Sequence, residues 1–310
     1  QGQGIRTTSH EAFDMQAGGQ AVQGTAHWVM HGDVRLFVWE KCVGRAQGRP
    51  VVVLAHGSAT AGRESFDLQV PGRPSYSLMD FLAQQGFDVF ALDVRGFGSS
   101  TRPDRHLTTE QAAGDLNAVV DFICQLRGVA QVNLMAWSWG TQYAGQFVMV
   151  QPHKVARYVS YAQMHAQSPD LEARRPRLAT FQRAPYIRIT EAGWKLRFHS
   201  MTPDEANEPA VIEAFARAAA QVELKSPTGP QVDLLTRQPL VDPARMAVPV
   251  MMIHGQYDDV ADLDGLWPFF KALPNPDKQY VVVPEGGHML HLQKGHARFQ
   301  HAVAGWFSAV

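Results

Sequence analysis

Three residues far apart in the chain could together make a hydroxyl reactive: Ser138, Asp258 and His288. A serine hydroxyl is a weak nucleophile at neutral pH. It becomes useful when a histidine takes its proton and a carboxylate orients and stabilises that histidine. Each of the three follows an apolar, strand-like run. Val132-Asn133-Leu134-Met135-Ala136-Trp137 leads into Ser138, Pro249-Val250-Met251-Met252-Ile253 towards Asp258, and Gln279-Tyr280-Val281-Val282-Val283 towards His288. In a parallel sheet, ligand-facing residues gather just beyond such strand ends. Ser138 is flanked by the small residues Ala136 and Gly140, and a helical pattern follows. Strand, sharp turn and helix in that order form a nucleophile elbow, where small flanking residues let strand and helix pass closely. The usual pattern has glycine at both flanks, so Ala136 is a departure of one methyl group.

The elements that must position these residues alternate. Trp28 to Trp39 reads as a hairpin around His31-Gly32-Asp33. Val51-Val52-Val53-Leu54-Ala55 is a continuous apolar run, as expected of a central strand covered on both faces, and it ends in His56-Gly57-Ser58. Residues 59–74 read as a long loop, and a helix closed by Gly86 follows. Phe87 to Asp93 is a further strand. Thr108-Thr109-Glu110-Gln111 has capping-box spacing ahead of a helix that runs to Gly128. Val155 to Tyr161 is one more strand, and helices are expected over 263–273 and 296–307. Strands alternating with helices imply a mainly parallel sheet with helices on both faces. Between residues 166 and 243 strand-like runs disappear. Thr202-Pro203-Asp204-Glu205 has the composition of a helix start, and 211–224 is alanine-rich with helical periodicity, so the stretch reads as a helical insertion. The expected organisation is a poorly ordered lead-in (1–24), a first core part (25–165), the insertion (166–243) and a second core part (244–310).

Composition narrows the partners. Lys and Arg number 28 against 29 Asp and Glu, a formal charge of −1, so no basic stripe points to nucleic acid. No apolar run is long enough to span a bilayer. Cys42 and Cys124 have no metal-ligand spacing and neither require nor exclude a bridge. The Gly-, Gln-, Ser- and Thr-rich start lacks the apolar centre of a signal peptide. A cytoplasmic location and a secreted or periplasmic one after signal removal both stay open.

The chain order Ser, Asp, His is that of the α/β-hydrolases, not of the chymotrypsin or subtilisin types. The chain resembles that superfamily through His56-Gly57, Asp93-Val94-Arg95-Gly96-Phe97-Gly98-Ser99, the elbow, Gly255-Gln256-Tyr257-Asp258 and Gly286-Gly287-His288. The resemblance implies an α/β-hydrolase fold with a helical cap, a Ser138–His288–Asp258 triad, and an oxyanion hole built from the backbone amides of Trp139 and Ser58. It implies no cofactor. Asp259 adjoins Asp258 and is a rival acid; the resemblance places the acid three residues beyond Gly255, which favours Asp258. A serine nucleophile sets the chain apart from the superfamily's aspartate-dependent haloalkane dehalogenases and epoxide hydrolases. It implies a small-molecule substrate cleaved at an ester bond through an acyl-enzyme. Carbon–carbon bond hydrolysis, acyl transfer and a non-enzymatic receptor on the same fold remain alternatives.

Around that centre several residues have two readings. His56, Trp137, Trp139, Phe181, Tyr186 and Trp194 are candidate pocket walls, and simple packing explains them equally well. His56 could instead hold the oxyanion turn through its ring. Arg174, Arg175, Arg177, Arg183 and Arg188 are dense enough to attract a substrate carboxylate, although a solvated helix face is the simpler reading. His291, His296 and His301 are expected to be surface or packing residues. His27 and His31 lack a third ligand nearby in sequence, so no metal is expected. Arg95-Gly96-Phe97-Gly98 lacks the further glycine and lysine of a phosphate cradle and reads as a structural turn.

Overall fold

The computed structural model describes residues 20–200 and 203–309; residues 1–19 of the expected lead-in lie outside it. Val22–His31 (β1) and Val34–Val43 (β2) form an antiparallel hairpin in which His31 pairs with Val34. Gly32 fills the turn at φ 62, which a side chain rarely tolerates. The lead-in is therefore shorter than expected, because residues 22–24 already pair with β2. Then come Val51–Ala55 (β3), Gly62–Phe66 (α1), Leu78–Gln84 (α2), Asp88–Leu92 (β4), Thr109–Arg127 (α3), Val132–Trp137 (β5), Gly140–Val150 (α4) and Val155–Tyr161 (β6). The loop expected over 59–74 thus contains a short helix. Its single turn is too brief for a helical period to show in the sequence.

The insertion carries Pro169–Arg174 (α5), Leu178–Arg183 (α6), Tyr186–Arg188 (β7), Glu191–Ser200 (α7), Pro209–Val222 (α8), Lys225–Pro227 (β8) and Gly229–Thr236 (α9). It is not purely helical, since β7 and β8 pair into a small antiparallel ribbon. Three-residue strands are too short to show a period of two. Thr202 lies outside the described residues; after Pro203 a single 3-10 turn forms over Asp204–Ala206, and the long helix begins at Pro209, where proline takes the first turn. The core resumes with Val250–Gly255 (β9), Leu266–Ala272 (α10), Lys278–Val283 (β10) and His296–Phe307 (α11). No helix among the described residues is long and apolar enough to cross a membrane.

One eight-stranded sheet runs β1-β2-β4-β3-β5-β6-β9-β10. β1 and β2 are antiparallel to their neighbours, and the rest are parallel. β3, β4, β5 and β9 are buried along their whole length, as strands covered on both faces must be. α3 is anchored at both ends. The Thr108 hydroxyl accepts from the Gln111 amide at 3.1 Å, the Gln111 side chain accepts from the Thr108 amide at 3.1 Å, and Gly128 ends the helix at φ 66.

Register decides what meets at the carboxyl edge. Ala55 of β3 lies opposite Ala136 of β5, so His56-Gly57 emerges beside Trp137-Ser138. The first turn of α4 then passes over β3 so closely that a Cβ on Gly140 would stand 2.6 Å from the His56 carbonyl oxygen. Ala136 is fully buried within β5 and its methyl is accommodated there. Gly140→Ala is expected to lower stability by about 1–3 kcal/mol through overpacking. Gly305→Ala on α11, where an added Cβ meets nothing within 4 Å, should raise it by about 0.5–1 kcal/mol. Urea midpoints of the two variants check this contrast.

Candidate active site

Ser138 occupies the turn between β5 and α4 at φ 58, in the left-handed region that few side-chain-bearing residues enter. Its amide donates to the Tyr161 carbonyl at 3.0 Å, and its own carbonyl accepts from the Thr141 amide at 2.8 Å and the Thr141 hydroxyl at 2.6 Å. These bonds hold the strained backbone. Ser138 Oγ lies 2.8 Å from His288 Nε2. His288 Nδ1 is 2.9 and 3.1 Å from the two oxygens of Asp258. An ionised carboxylate only accepts, so Nδ1 carries the proton and Nε2 is left to accept from the serine. Asp258 Oδ1 also accepts from the amides of Val260 and Ala261, each at 2.9 Å. The neighbouring Asp259 does not meet the imidazole. Its carbonyl accepts from the Asp170 amide at 3.2 Å. Its carboxyl is pushed above the usual range by burial and by the charge of Asp170.

The acid and histidine loops meet because their backbones nearly touch. A Cβ on Gly255 would stand 2.5 Å from the Gly286 carbonyl, and the Tyr257 amide donates to Gly286 O at 2.8 Å. The His288 carbonyl is fixed from below by Trp137 Nε1 at 3.1 Å. Tyr161 donates to His291 Nδ1 at 2.9 Å, and the Nε2–H of His291 donates to the Ser65 carbonyl at 2.8 Å. His291 is therefore a buried packing residue, held neutral by burial with its pKa down at about 3. His296 stacks on Tyr76, while His301 is exposed beside Phe81.

Gly57 faces the serine: a Cβ there would be 3.1 Å from Ser138 Cβ. Among the described residues, neither the Ser58 nor the Trp139 amide donates to another protein group. His56 holds this turn. Its Nδ1–H donates to Gly57 O at 2.8 Å, its Nε2 accepts from the Val94 amide at 3.1 Å, and Phe97 packs on its ring. Burial lowers its pKa to about 4. Both ring nitrogens are engaged, so His56 is a brace rather than a pocket wall.

The aromatic candidates divide. Trp137 stacks on Tyr161, and Trp139 is fully buried against Tyr143 with its Nε1 on Thr109 Oγ1 at 3.1 Å. Both are packed into the core beneath the site. Tyr186 donates its hydroxyl to Pro103 O at 2.8 Å, joining the insertion to the core. Phe181 and Trp194 are buried within the insertion, Trp194 edge-on to Phe215. No sequence motif pointed to Gln231 of α9, whose Nε2 donates to Ser58 Oγ at 3.2 Å and so brings the insertion onto the turn beside Ser138. Ser138, Asp258 and His288 are each at most 6% exposed.

Elsewhere, Glu40, Cys42 and Asp88 bring donor atoms within 4.8 Å of one another. Arg127 already serves as the cation there, paired with Glu40 and with Asp88 at 2.7 Å. Asp88 begins β4, at the sheet edge opposite Ser138. His27 pairs with Glu40 at 2.6 Å and His31 with Asp115 at 3.0 Å. Cys42 and Cys124 are free thiols.

Family comparison agrees with this layout. Residues 50–295 match the family defined by the alpha/beta hydrolase fold, and the chain belongs to that family. Among solved structures, a thermophilic esterase from Thermogutta terrifontis is 20% identical with a TM-score of 0.65, over 91% of this chain and 97% of that one. A 2-hydroxy-6-oxo-6-phenylhexa-2,4-dienoate hydrolase from Rhodococcus sp. strain RHA1 is 21% identical with a TM-score of 0.68, over 93% and 100%. An enol-lactonase from Burkholderia xenovorans LB400 is 17% identical with a TM-score of 0.70, over 91% and 100%. At such identities these share the fold. In sequence, epoxide hydrolase 2 of Siraitia grosvenorii is 32% identical over 82 residues, which span 26% of this chain and a quarter of that protein.

Three further carboxyls are buried close to one another: Asp93 after β4, Glu64 on α1 and Glu223 at the end of α8. Asp93 accepts from the amides of Gly62 at 2.9 Å and Ser99 at 3.1 Å, and burial raises it to about 6. Glu64 accepts from the Ala61 amide at 2.9 Å, and burial, with Asp93 beside it, raises it from 4.5 to about 8. Glu223, from the end of α8, accepts from the Gly98 amide at 2.6 Å. Burial and Glu64 raise it, with Arg102 opposing. A carboxyl whose folded pKa is raised binds its proton more tightly in the native state, so stability falls as pH rises from the unfolded value through the folded one. For Glu64 that window is about 4.5 to 8. Glu64→Gln keeps an acceptor for Ala61 and cannot ionise. Its melting temperature relative to wild type should rise between pH 5 and pH 8; thermal melts giving the same difference at both would refute this.

Proposed function

We propose that this protein cleaves carboxylic esters of small to medium, partly apolar or aromatic molecules through an acyl-enzyme on Ser138. The observation that carries the reading is the hydrogen-bonded line from Ser138 Oγ through His288 to Asp258, at 2.8 and 2.9 Å. In the first half-reaction Ser138 Oγ attacks the carbonyl carbon while His288 Nε2 takes its proton. The oxygen that gains charge lies between the amides of Ser58 and Trp139. Each such donor contributes roughly 3 kcal/mol to transition-state stabilisation. The imidazolium, steadied by Asp258, then gives its proton to the leaving alcohol. In the second half His288 takes a proton from water, the hydroxide attacks the acyl carbon, and the acid leaves as Ser138 regains its proton.

A serine at the elbow supports acyl chemistry over the epoxide opening named for the curated relative. There an aspartate would be needed at this position. The insertion, with Gln231 laid on Ser58, serves as the cap that closes the site from water.

A fluorophosphonate probe is expected to label Ser138. Ser138→Ala should lose both labelling and turnover of p-nitrophenyl esters. Asp258→Asn, which leaves the imidazole in the wrong tautomer, should lower kcat by about 10⁴-fold. Full turnover in Ser138→Ala would refute the reading.

A further inference from the structure

Of Arg174, Arg175, Arg177, Arg183 and Arg188, one turns towards the site. Arg174, at the end of α5, is 16% exposed and donates from Nη1 to Gln231 Oε1 at 2.9 Å. The other end of that carboxamide donates to Ser58 Oγ at 3.2 Å. A single amide group thus separates a guanidinium from the turn whose backbone N–H is assigned to the oxyanion. Arg175 faces outward to Glu172 and Gln167, and Arg177, Arg183 and Arg188 are exposed.

Arg174 is held by two groups, Gln231 on Nη1 and the carboxylate of Asp170 in an ion pair on Nη2. Its Nη2 lies 2.5 Å from Asp170 Oδ2, yet that buried oxygen has no aligned hydrogen bond. Only Nη1 makes an aligned bond among the described residues. Positive charge outnumbers negative around this pair, with Arg174, Arg177 and Arg197 close together and Asp170 the opposing charge. Arg197 is held down at about 9 by burial and by the positive charges of Arg174 and Arg177, with Asp170 opposing. Its guanidinium stands 5.6 Å from the ring of Trp194. Trp194 is fully buried, and its indole N–H has no acceptor among the described residues. Partly desolvated guanidinium forks match planar carboxylates with two parallel bonds.

We propose that the ester cleaved at Ser138 carries a second, ionised carboxylate, which docks on Arg174 beside Gln231. The natural substrates are then half-esters of dicarboxylic acids, or similar acyl groups with a free carboxylate a few bonds from the scissile carbonyl. This rests on the serine-ester reading and adds the substrate class to it. Gln231 acts as a positioning residue: it ties the carboxylate end of the substrate to the oxyanion turn.

The test compares p-nitrophenyl half-esters of succinic to adipic acid with neutral p-nitrophenyl esters of the same chain length. A charge-assisted bond lost from a partly buried site corresponds to roughly tenfold or more. Wild type should favour its best half-ester by at least about tenfold in kcat/KM. Arg174→Gln should collapse that ratio, chiefly through KM, and Arg174→Lys should keep part of it. Arg183→Gln, which removes an exposed cap charge, should leave the ratio in place. Because each ratio is taken within one protein preparation, partial unfolding cancels. Calorimetry of succinate and adipate with Ser138→Ala reads the subsite without turnover. Binding that depends on Arg174, with no ester turned over by wild type, would uphold the subsite and defeat the serine-ester reading. Ester turnover with no half-ester preference and no diacid binding would defeat the subsite and leave that reading standing.

Discussion

The site depends on backbone segments approaching more closely than a side chain would allow. Gly140 lies against the His56 carbonyl, Gly57 against Ser138, and Gly255 against Gly286. Each contact joins two loops that bear functional groups, so the groups are placed by main chain and not by flexible side chains. Ser138 takes the strain of this arrangement at φ 58, a conformation that costs on the order of 1–3 kcal/mol and persists only when the surroundings over-determine it. The surroundings do so here. A fully buried parallel strand enters the turn, a helix leaves it, and Tyr161 and Thr141 engage both of the serine's backbone polar groups.

Burial then sorts the ionisable groups by the donors each can find. Asp258 collects two amides and an imidazole N–H, the partners a carboxylate needs inside a protein. Glu64, Asp93 and Glu223 are as deeply placed but have fewer donors and face one another, and burial raises all three above the usual carboxyl range. The histidines divide in the same way. His56 and His291 have both ring nitrogens engaged by the protein and are kept neutral. His288 offers its free nitrogen to Ser138 and the other to Asp258. One imidazole thereby faces a serine hydroxyl, and the other two hold loops in place.

Much of this was legible in the sequence, for reasons that can be named. Apolar runs long enough to show their period located the core strands, and Val155–Tyr161 has the bounds read from its residues. The parallel direction of the strands then placed Ser138, Asp258 and His288 at one edge, beyond the carboxyl ends, before any contact was known. The insertion was legible only as helical composition. Its ribbon rests on Tyr186–Arg188 and Lys225–Pro227, each too short to carry a pattern. The tryptophans at 137 and 139 suggested pocket walls by their nearness to Ser138, but alternation along β5 and the start of α4 turn both into the core. Gln231 had no signal at all. A glutamine after proline in a polar stretch says nothing of the distant serine it reaches. The buried acids were hidden likewise, because Glu64 sits in what read as a loop and Glu223 at a helix end.

The central claim is that Ser138 becomes covalently acylated. Rapid-quench mass spectrometry of the wild-type protein during turnover of a p-nitrophenyl ester tests it most directly. One acyl group should appear on the peptide containing Ser138, formed with a burst of p-nitrophenol equal to the enzyme present and lost as turnover proceeds. Steady hydrolysis with no adduct, or an adduct on any other residue, would contradict it.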